Sequence, residues 1–227
     1  MPSLTARISL NKAGNKSFPP SLRSVREKRE RAREVSGMSL LPRRIVLGVT
    51  GSIAAYKAPE IVRGLVKMGF ETRCVLTPKA KDFITSLTLA TLSHYPSVEN
   101  ENDPRLWEMA HLSLASWAPV LLIAPATADF IAKLAAGFGD NLLLALALAF
   151  KGKIIVCPAM DGGMWEHPAT KRNVETIRQF GYEIWGPETG ELASGKIGSG
   201  RMVEPQTMCE SIKSLWSVEK IRTRKAR

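Results

Sequence analysis

Short β-rich runs recur along this chain with helical stretches between them, and that alternation leaves few folds open. The runs occupy residues 45–49, 72–76, 120–124, 154–157 and 182–185. The first, third and fourth (IVLGV, VLLIA and IIVC) are almost continuously apolar, as expected of strands buried on both faces. Between the runs, residues 53–68 place apolar side chains at helical spacing, and Gly69 follows as a stop signal. Further helical patterns cover 79–84, 87–92, 107–117, 130–135, 142–150, 173–180 (closed by Gly181) and 205–215. Strands and helices in this order predict an α/β fold, a parallel sheet covered by helices on both faces. No internal repeat is present. The expected organisation is one domain over 44–216, with basic extensions at 1–43 and 217–227.

The net charge of +11 suggests nucleic acid until it is located. Residues 1–44 carry eleven Lys/Arg against three Glu, and residues 219–227 carry five against one. The remainder holds sixteen basic and seventeen acidic residues. The folded part is therefore nearly neutral and has no basic footprint, so no nucleic-acid partner is expected; the tails read as solvated extensions. A cleaved leader fits poorly with Glu27, Glu30 and Glu34, and Met38 is the expected start of the protein. No stretch approaches the roughly 18 apolar residues of a membrane span. Cys74, Cys157 and Cys209 show no metal-ligand spacing, and their odd number speaks against a disulfide framework. A cytoplasmic, reducing location is expected.

Chemistry is concentrated in turns that follow the strands, where open α/β sheets bind ligands. Gly51 and Ser52 stand at the start of a helical stretch, where free amides and the helix dipole favour an anion such as a phosphate. The turn is neither a G-x-G-x-x-G nor a Walker loop. Met160, Asp161, Met164, Trp165 and His167 crowd the segment after Pro158 and suggest a flat, partly apolar ligand. Residues 125–129 (PATAD) should open on the same sheet edge, and His111 is the candidate titrating imidazole.

Five segments together resemble the flavin-dependent cysteine decarboxylase family: GVTGSIAAYKAPE (48–60), HLSLASWA (111–118), IAPATADFIAKLAAGFGDNLL (123–143), PAMDGGMWEHPAT (158–170) and GELASGKIGSGRMVEP (190–205). They are most similar to the branch that acts on phosphopantothenoylcysteine in coenzyme A synthesis. The resemblance implies a Rossmann-like flavoprotein that binds FMN at the strand ends and assembles as a homotrimer or larger oligomer, with residues 107–117 at or near the interface. It implies that Gly51, Ser52, Ile53 and Thr77 hold the FMN phosphate, and that Ala126, Thr127 and Asp129 lie near the ring. It assigns His111 to catalysis, and Asp161 and Met164 to substrate contacts. In that family the substrate cysteine is oxidised by the flavin to a thioaldehyde, loses carbon dioxide, and is reduced back from the enethiol with a protein cysteine as proton donor.

Four positions depart from the family pattern. Ser194 stands in place of the proton-donating cysteine, Asp161 and Asp129 in place of asparagines, and Pro119 in place of an acid. A serine hydroxyl is a far weaker acid than a thiol of pKa ~8.5, so Ser194 needs a water or an acidic neighbour to serve. An ionised Asp161 repels a substrate carboxylate, which a raised pKa would relieve by keeping it protonated. The expected function is FMN-dependent decarboxylation of phosphopantothenoylcysteine to phosphopantetheine, with the ligase step on a separate protein. Two alternatives stay open. One is oxidative decarboxylation of a peptidyl C-terminal cysteine that stops at the enethiol. The other is a flavin-binding regulatory subunit without turnover, although the acidic tail that would favour it is replaced by basic residues.

Overall fold

Period-two burial along the strands organises the molecule. In the computed structural model, which describes residues 43–98 and 109–225 (side chains to Trp216), five strands form one parallel sheet. They are β1 (Arg44–Val49), β2 (Glu71–Leu76), β3 (Val120–Ala126), β4 (Lys153–Pro158) and β5 (Glu183–Ile184), in the order β2-β1-β3-β4-β5. The expected extension 1–43, apart from Arg43, and with it Met38, lies outside the described residues, as does Trp107.

Alternate residues of each strand serve opposite faces of the sheet. Ile45, Leu47, Val49, Leu122, Ala124, Ile155 and Cys157 belong to one core. Covering it are α1 (Ala58–Lys67), α2 (Ser86–Ser93) and α8 (Pro205–Lys225). Val46, Leu121, Ile123, Ile154 and Val156 belong to the other. There the cover is α3 (Ala110–Trp117), α4 (Ala128–Ala135), α5 (Leu142–Ala149) and α7 (Pro168–Gln179). This two-sided burial explains the near-continuous apolar character of the central strands.

Several boundaries differ from the sequence expectation. Residues 53–57 form a 3-10 helix (Ile53–Lys57) before α1 begins, and a second 3-10 helix covers Pro78–Asp82. Strand β3 runs through Pro125 to Ala126, with a register shift between Ile123 and Ala126 where the proline cannot donate to the ladder. Helix α7 starts at Pro168, five residues before the predicted position, with His167 as N-cap: its Nδ1 accepts from the Ala169 amide at 3.2 Å. The polar segment 188–201, which carries no strand pattern in the sequence, forms an antiparallel hairpin of β6 (Glu188–Glu191) and β7 (Ile197–Arg201). Between Asp161 and His167 lies the short helix α6 (Gly162–Glu166).

The sheet order reverses at β1, whose neighbours are β2 on one side and β3 on the other. Crossovers leave β1 and β3 in opposite directions, and a crevice opens beyond their carboxyl ends. Thr50, 2% exposed, stitches its floor. Its hydroxyl donates to the Pro125 carbonyl at 2.8 Å and accepts from the Thr127 amide at 3.1 Å, while its amide donates to the same Pro125 carbonyl. Thr50→Val keeps the shape and leaves the half-buried Thr127 amide without its acceptor, so it should destabilise the protein by about 1 kcal/mol. Thr50→Ser should retain most of the stability. Urea unfolding followed by circular dichroism measures both, and equal stability of Thr50→Val and the parent would show that the stitch carries no free energy.

Candidate functional site

The switch-point crevice is a cleft of about 620 Å³, a size suited to a cofactor or a cofactor with part of a substrate. The turn after β1 supplies Gly51, Ser52 and Ile53, and the end of β3 supplies Thr127. From the end of β4 come Met160, Asp161 and Met164, and from the hairpin Ser194, Arg201 and their neighbours. Ser52 caps the 3-10 helix by accepting from the Ala54 amide at 3.3 Å. Thr127 caps α4 in the same way, accepting from the Phe130 amide at 3.2 Å. Two helical segments thus begin at the cleft, and first-turn amides have no intrahelical partner. An anionic group is favoured at that end.

Gly51 owes its identity to the protein as much as to any ligand. A Cβ placed there would lie 2.5 Å from the Cβ of Lys79, so the two turns at the ends of β1 and β2 approach through the missing side chain. Thr77 lies behind this turn. Its amide donates to the Val49 carbonyl at 3.0 Å, and its buried hydroxyl has no hydrogen-bond partner among the described residues.

The apolar part of the cleft consists of Ile53, Tyr56, Met160 and Met164, of which Tyr56 and Ile53 are more than half exposed. The charged part is Lys57, Asp161, Glu191 and Arg201. Lys57 Nζ pairs with Glu204 at 2.8 Å, and Arg201 also reaches Glu204. These contacts, the Lys57 pair first, hold the Glu204 carboxyl below its usual range.

The hairpin rests on the segment after β4. The Met160 amide donates to the Gly200 carbonyl at 3.0 Å, and a Cβ on Gly200 (φ +140°) would fall 2.2 Å from the Met160 carbonyl oxygen. Ser199 Oγ donates to Glu166 at 3.0 Å; Lys171 binds the same carboxylate. Ser194, in the turn between β6 and β7, donates from Oγ to Asp161 Oδ2 at 3.0 Å. The Gly163 amide donates to Asp161 Oδ1 at 2.9 Å. Those two bonds, the backbone one foremost, hold the Asp161 carboxyl below its usual range. A raised pKa that would relieve the repulsion is therefore not what these contacts produce: two donors stabilise the ionised form.

Of the site residues that the family resemblance implies, Gly51, Ser52, Ile53, Thr127, Asp161, Met164 and Ser194 all line this one cleft. Four others do not. Ala126 is fully buried at the end of β3, and Thr77 sits behind the Gly51 turn. Asp129 faces outward from the first turn of α4, 3.5 Å from Lys133. His111 lies on α3, whose buried residues pack in the second core. Lys57 and Arg201 were missed, because a lysine inside a helical stretch and an arginine after Gly-Ser-Gly give no signal that they meet. No cysteine lines the cleft. Cys74 and Cys209 are buried, with thiol pKa values pushed up by burial to about 12 and about 11, and burial raises Cys157 as well.

Residues 34–217 match the family model described as Flavoprotein. The chain belongs to the flavoprotein family. It is 44% identical over 176 residues to the coenzyme A biosynthesis bifunctional protein CoaBC of Vibrio vulnificus, covering 76% of this chain and 44% of the relative. This flavoprotein thus spans less than half the length of the bifunctional relatives. It is 38% identical over 177 residues to the probable phosphopantothenoylcysteine decarboxylase of Streptococcus mutans, covering 76% of this chain and 98% of that one. Among solved structures, a cysteine-to-serine mutant of PPC decarboxylase complexed with pantothenoylaminoethenethiol matches with a TM-score of 0.71 at 30% identity, covering 78% of this chain and 100% of the other. The FMN-dependent cysteine decarboxylase SpaF matches with a TM-score of 0.67 at 30% identity, covering 77% of this chain and 97% of the other. Both share the Rossmann-like flavoprotein fold.

Asp161, Glu166 and Glu204 all hold hairpin side chains, and all three carboxyls lie below their usual range. A carboxyl depressed by folding stabilises above its unfolded pKa, and its contribution is lost as pH falls through the folded value. The hairpin should therefore stay seated at neutral pH and loosen below about pH 4. An acid-active protease should cut within residues 191–197 at low pH before circular dichroism registers loss of the sheet. Unchanged cleavage between about pH 6 and about pH 3 would show that these carboxylates do not govern its position.

Proposed function

We propose that this flavoprotein is an FMN-dependent decarboxylase of phosphopantothenoylcysteine, yielding phosphopantetheine in coenzyme A biosynthesis. The observation that carries the reading is the cleft itself: an anion-favouring turn, an apolar wall and a hairpin bearing Ser194 converge at the switch point of the sheet. The likeness to the decarboxylase of Streptococcus mutans over nearly that protein's full length supports the substrate.

The cleft fits FMN. Gly51, Ser52 and Ile53 would take the phosphate, with the unpartnered Thr77 hydroxyl behind them, and Ile53, Met160 and Met164 would flank the ring. When bound, the flavin supplies a two-electron acceptor and donor beside the substrate's Cα–Cβ–S unit. The protein binds and orients that unit, excludes water beneath the hairpin, and moves protons. Purification gives the first test: a yellow protein with a flavin spectrum is expected, and a colourless one that ignores added FMN would overturn the reading.

His111 is not among the residues that line the cleft of its own chain. Met109 and Leu112 beside it and Leu148 on the neighbouring helix α5 are all more than half exposed. Such an apolar patch suits a homo-oligomer interface, across which a second copy would bring its histidine to the cleft. A trimer or larger assembly is expected from light scattering, and a lone ~25 kDa monomer with tightly bound FMN would contradict it. His111→Asn should keep FMN and lower turnover ~100- to 10,000-fold, as for other general acid–base groups. An unchanged rate would remove His111 from the site. The reaction fits the cytoplasm, since all three cysteines are free and buried.

One observation favours a second reading, in which reaction halts at the enethiol. The Ser194 hydroxyl points its proton at Asp161, and the cleft holds no thiol. The neighbouring PPC decarboxylase in which serine replaces a cysteine is itself complexed with an enethiol. Carbon dioxide release should then outpace phosphopantetheine formation, and Ser194→Cys should raise the phosphopantetheine yield. Mass spectrometry of the products decides: full conversion by the unaltered protein would rule out the halted reaction.

A further inference from the structure

We infer that Asp161 is a positioning residue, which seats the tip of the β6–β7 hairpin over the cleft through Ser194 and does not itself bind substrate.

The hairpin is unable to hold its own place. Two strands alone are marginal in water, and β6 and β7 pair only with each other, apart from the main sheet. Three of the four β6 residues are exposed, as is Ile197 at the start of β7. The turn closes on itself through Leu192 N–H to the Lys196 carbonyl (2.8 Å) and Gly195 N–H to the Leu192 carbonyl (2.9 Å), but these bonds fix its shape and not its location.

Location comes from segment 160–166, which grips the hairpin at successive levels. At the base, the Met160 amide takes the Gly200 carbonyl; one residue back, Ser199 reaches Glu166. At the tip, Ser194 reaches Asp161, and the Leu192 side chain lies over Gly162, where an added Cβ would stand 3.6 Å from Leu192 Cδ1. Of these contacts the Ser194 bond alone joins the tip to the body through a charge.

Asp161 is suited to that task and not to holding a carboxylate. Each of its oxygens already accepts a hydrogen bond, one from the Gly163 amide and one from Ser194. Being ionised, it offers a substrate anion no donor. Residues 161 and 194, both departures from the family pattern, thus meet as an acceptor and a donor. The two changes act as one device. Lys196, in the same turn, adds a weaker attraction to Asp161.

This inference rests on the decarboxylase reading only for what the seated tip accomplishes; the seating is measured without turnover. The full-length protein, loaded with FMN, is followed by hydrogen exchange and mass spectrometry. A peptide covering 190–200 reports the hairpin, and one covering 173–180 in α7 serves as control. Ser194→Ala removes the tether and nothing else. It should speed exchange at Leu192 and Gly195 roughly two- to fivefold, the range for a single exposed charged contact, with the control peptide unchanged. Asp161→Ala should do at least as much, because it also uncaps α6. The double variant should match Asp161→Ala alone, and Asp161→Asn, which keeps an acceptor oxygen, should fall closer to the parent. Unchanged exchange in Ser194→Ala, or a further acceleration in the double variant beyond Asp161→Ala, would overturn the inference. A protein that seats its hairpin in this way and lacks activity would instead count against the decarboxylase reading.

Discussion

The buried hydroxyl of Thr50 is the contact on which the site depends. It ties the end of β1 to the end of β3 where the sheet reverses its order. The adjoining Gly51 lets the Pro78–Asp82 turn approach on one side, while Thr127 begins α4 on the other. A hydroxyl can do this because it donates and accepts at once. Without both bonds, the turns that line the cleft would be fixed only by the strands behind them, and their helical starts would not converge. The anion-favouring character of the site is thus a product of sheet topology, held in register by one side chain.

Above that rigid floor the hairpin is held by a different kind of interaction. The floor is tied by neutral hydrogen bonds, one buried and one half-buried, which depend little on salt or pH. The hairpin is tied by exposed carboxylates that accept from Ser194, Ser199 and Arg201. Such contacts are individually weak in water. A cleft with a firm base and a lightly tethered cover is physically suited to admitting a substrate and then keeping water from it.

Most of the fold was legible because burial on both faces writes itself into composition. IVLGV, VLLIA and IIVC admit little but central parallel strands, and Gly69 and Gly181 end their helices at positive φ. The hairpin was not legible. Its strands are short, polar and glycine-rich, and pair only with each other, so they lack both the apolar run and the alternation that mark a buried strand. The boundary at Pro125 was misplaced for a related reason: a proline usually ends a strand, but here β3 continues past it through the pairing of Ala126 with Pro158. In the site, Ser52, Asp161 and Ser194 were legible as chemistry within a recognisable order of motifs. Lys57 and Arg201 were not, since only the ion pairs through Glu204 bring them to one wall.

By itself the sequence determined the layered α/β architecture, the neutrality of the folded part and the set of turns that face a ligand. These follow from local order: hydrophobic period, glycine position and charge location are all properties of neighbours in the chain. Tertiary structure alone decided which of those turns meet, that two donors hold the Asp161 carboxyl below its usual range, and that Ser194 bonds to it across 33 positions. It also decided that His111 is not among the residues lining the cleft of its own chain. Each of these depends on distances between segments far apart in sequence. The ionisation of a carboxyl and the direction of a hydroxyl proton are set by whichever donors the fold delivers to them.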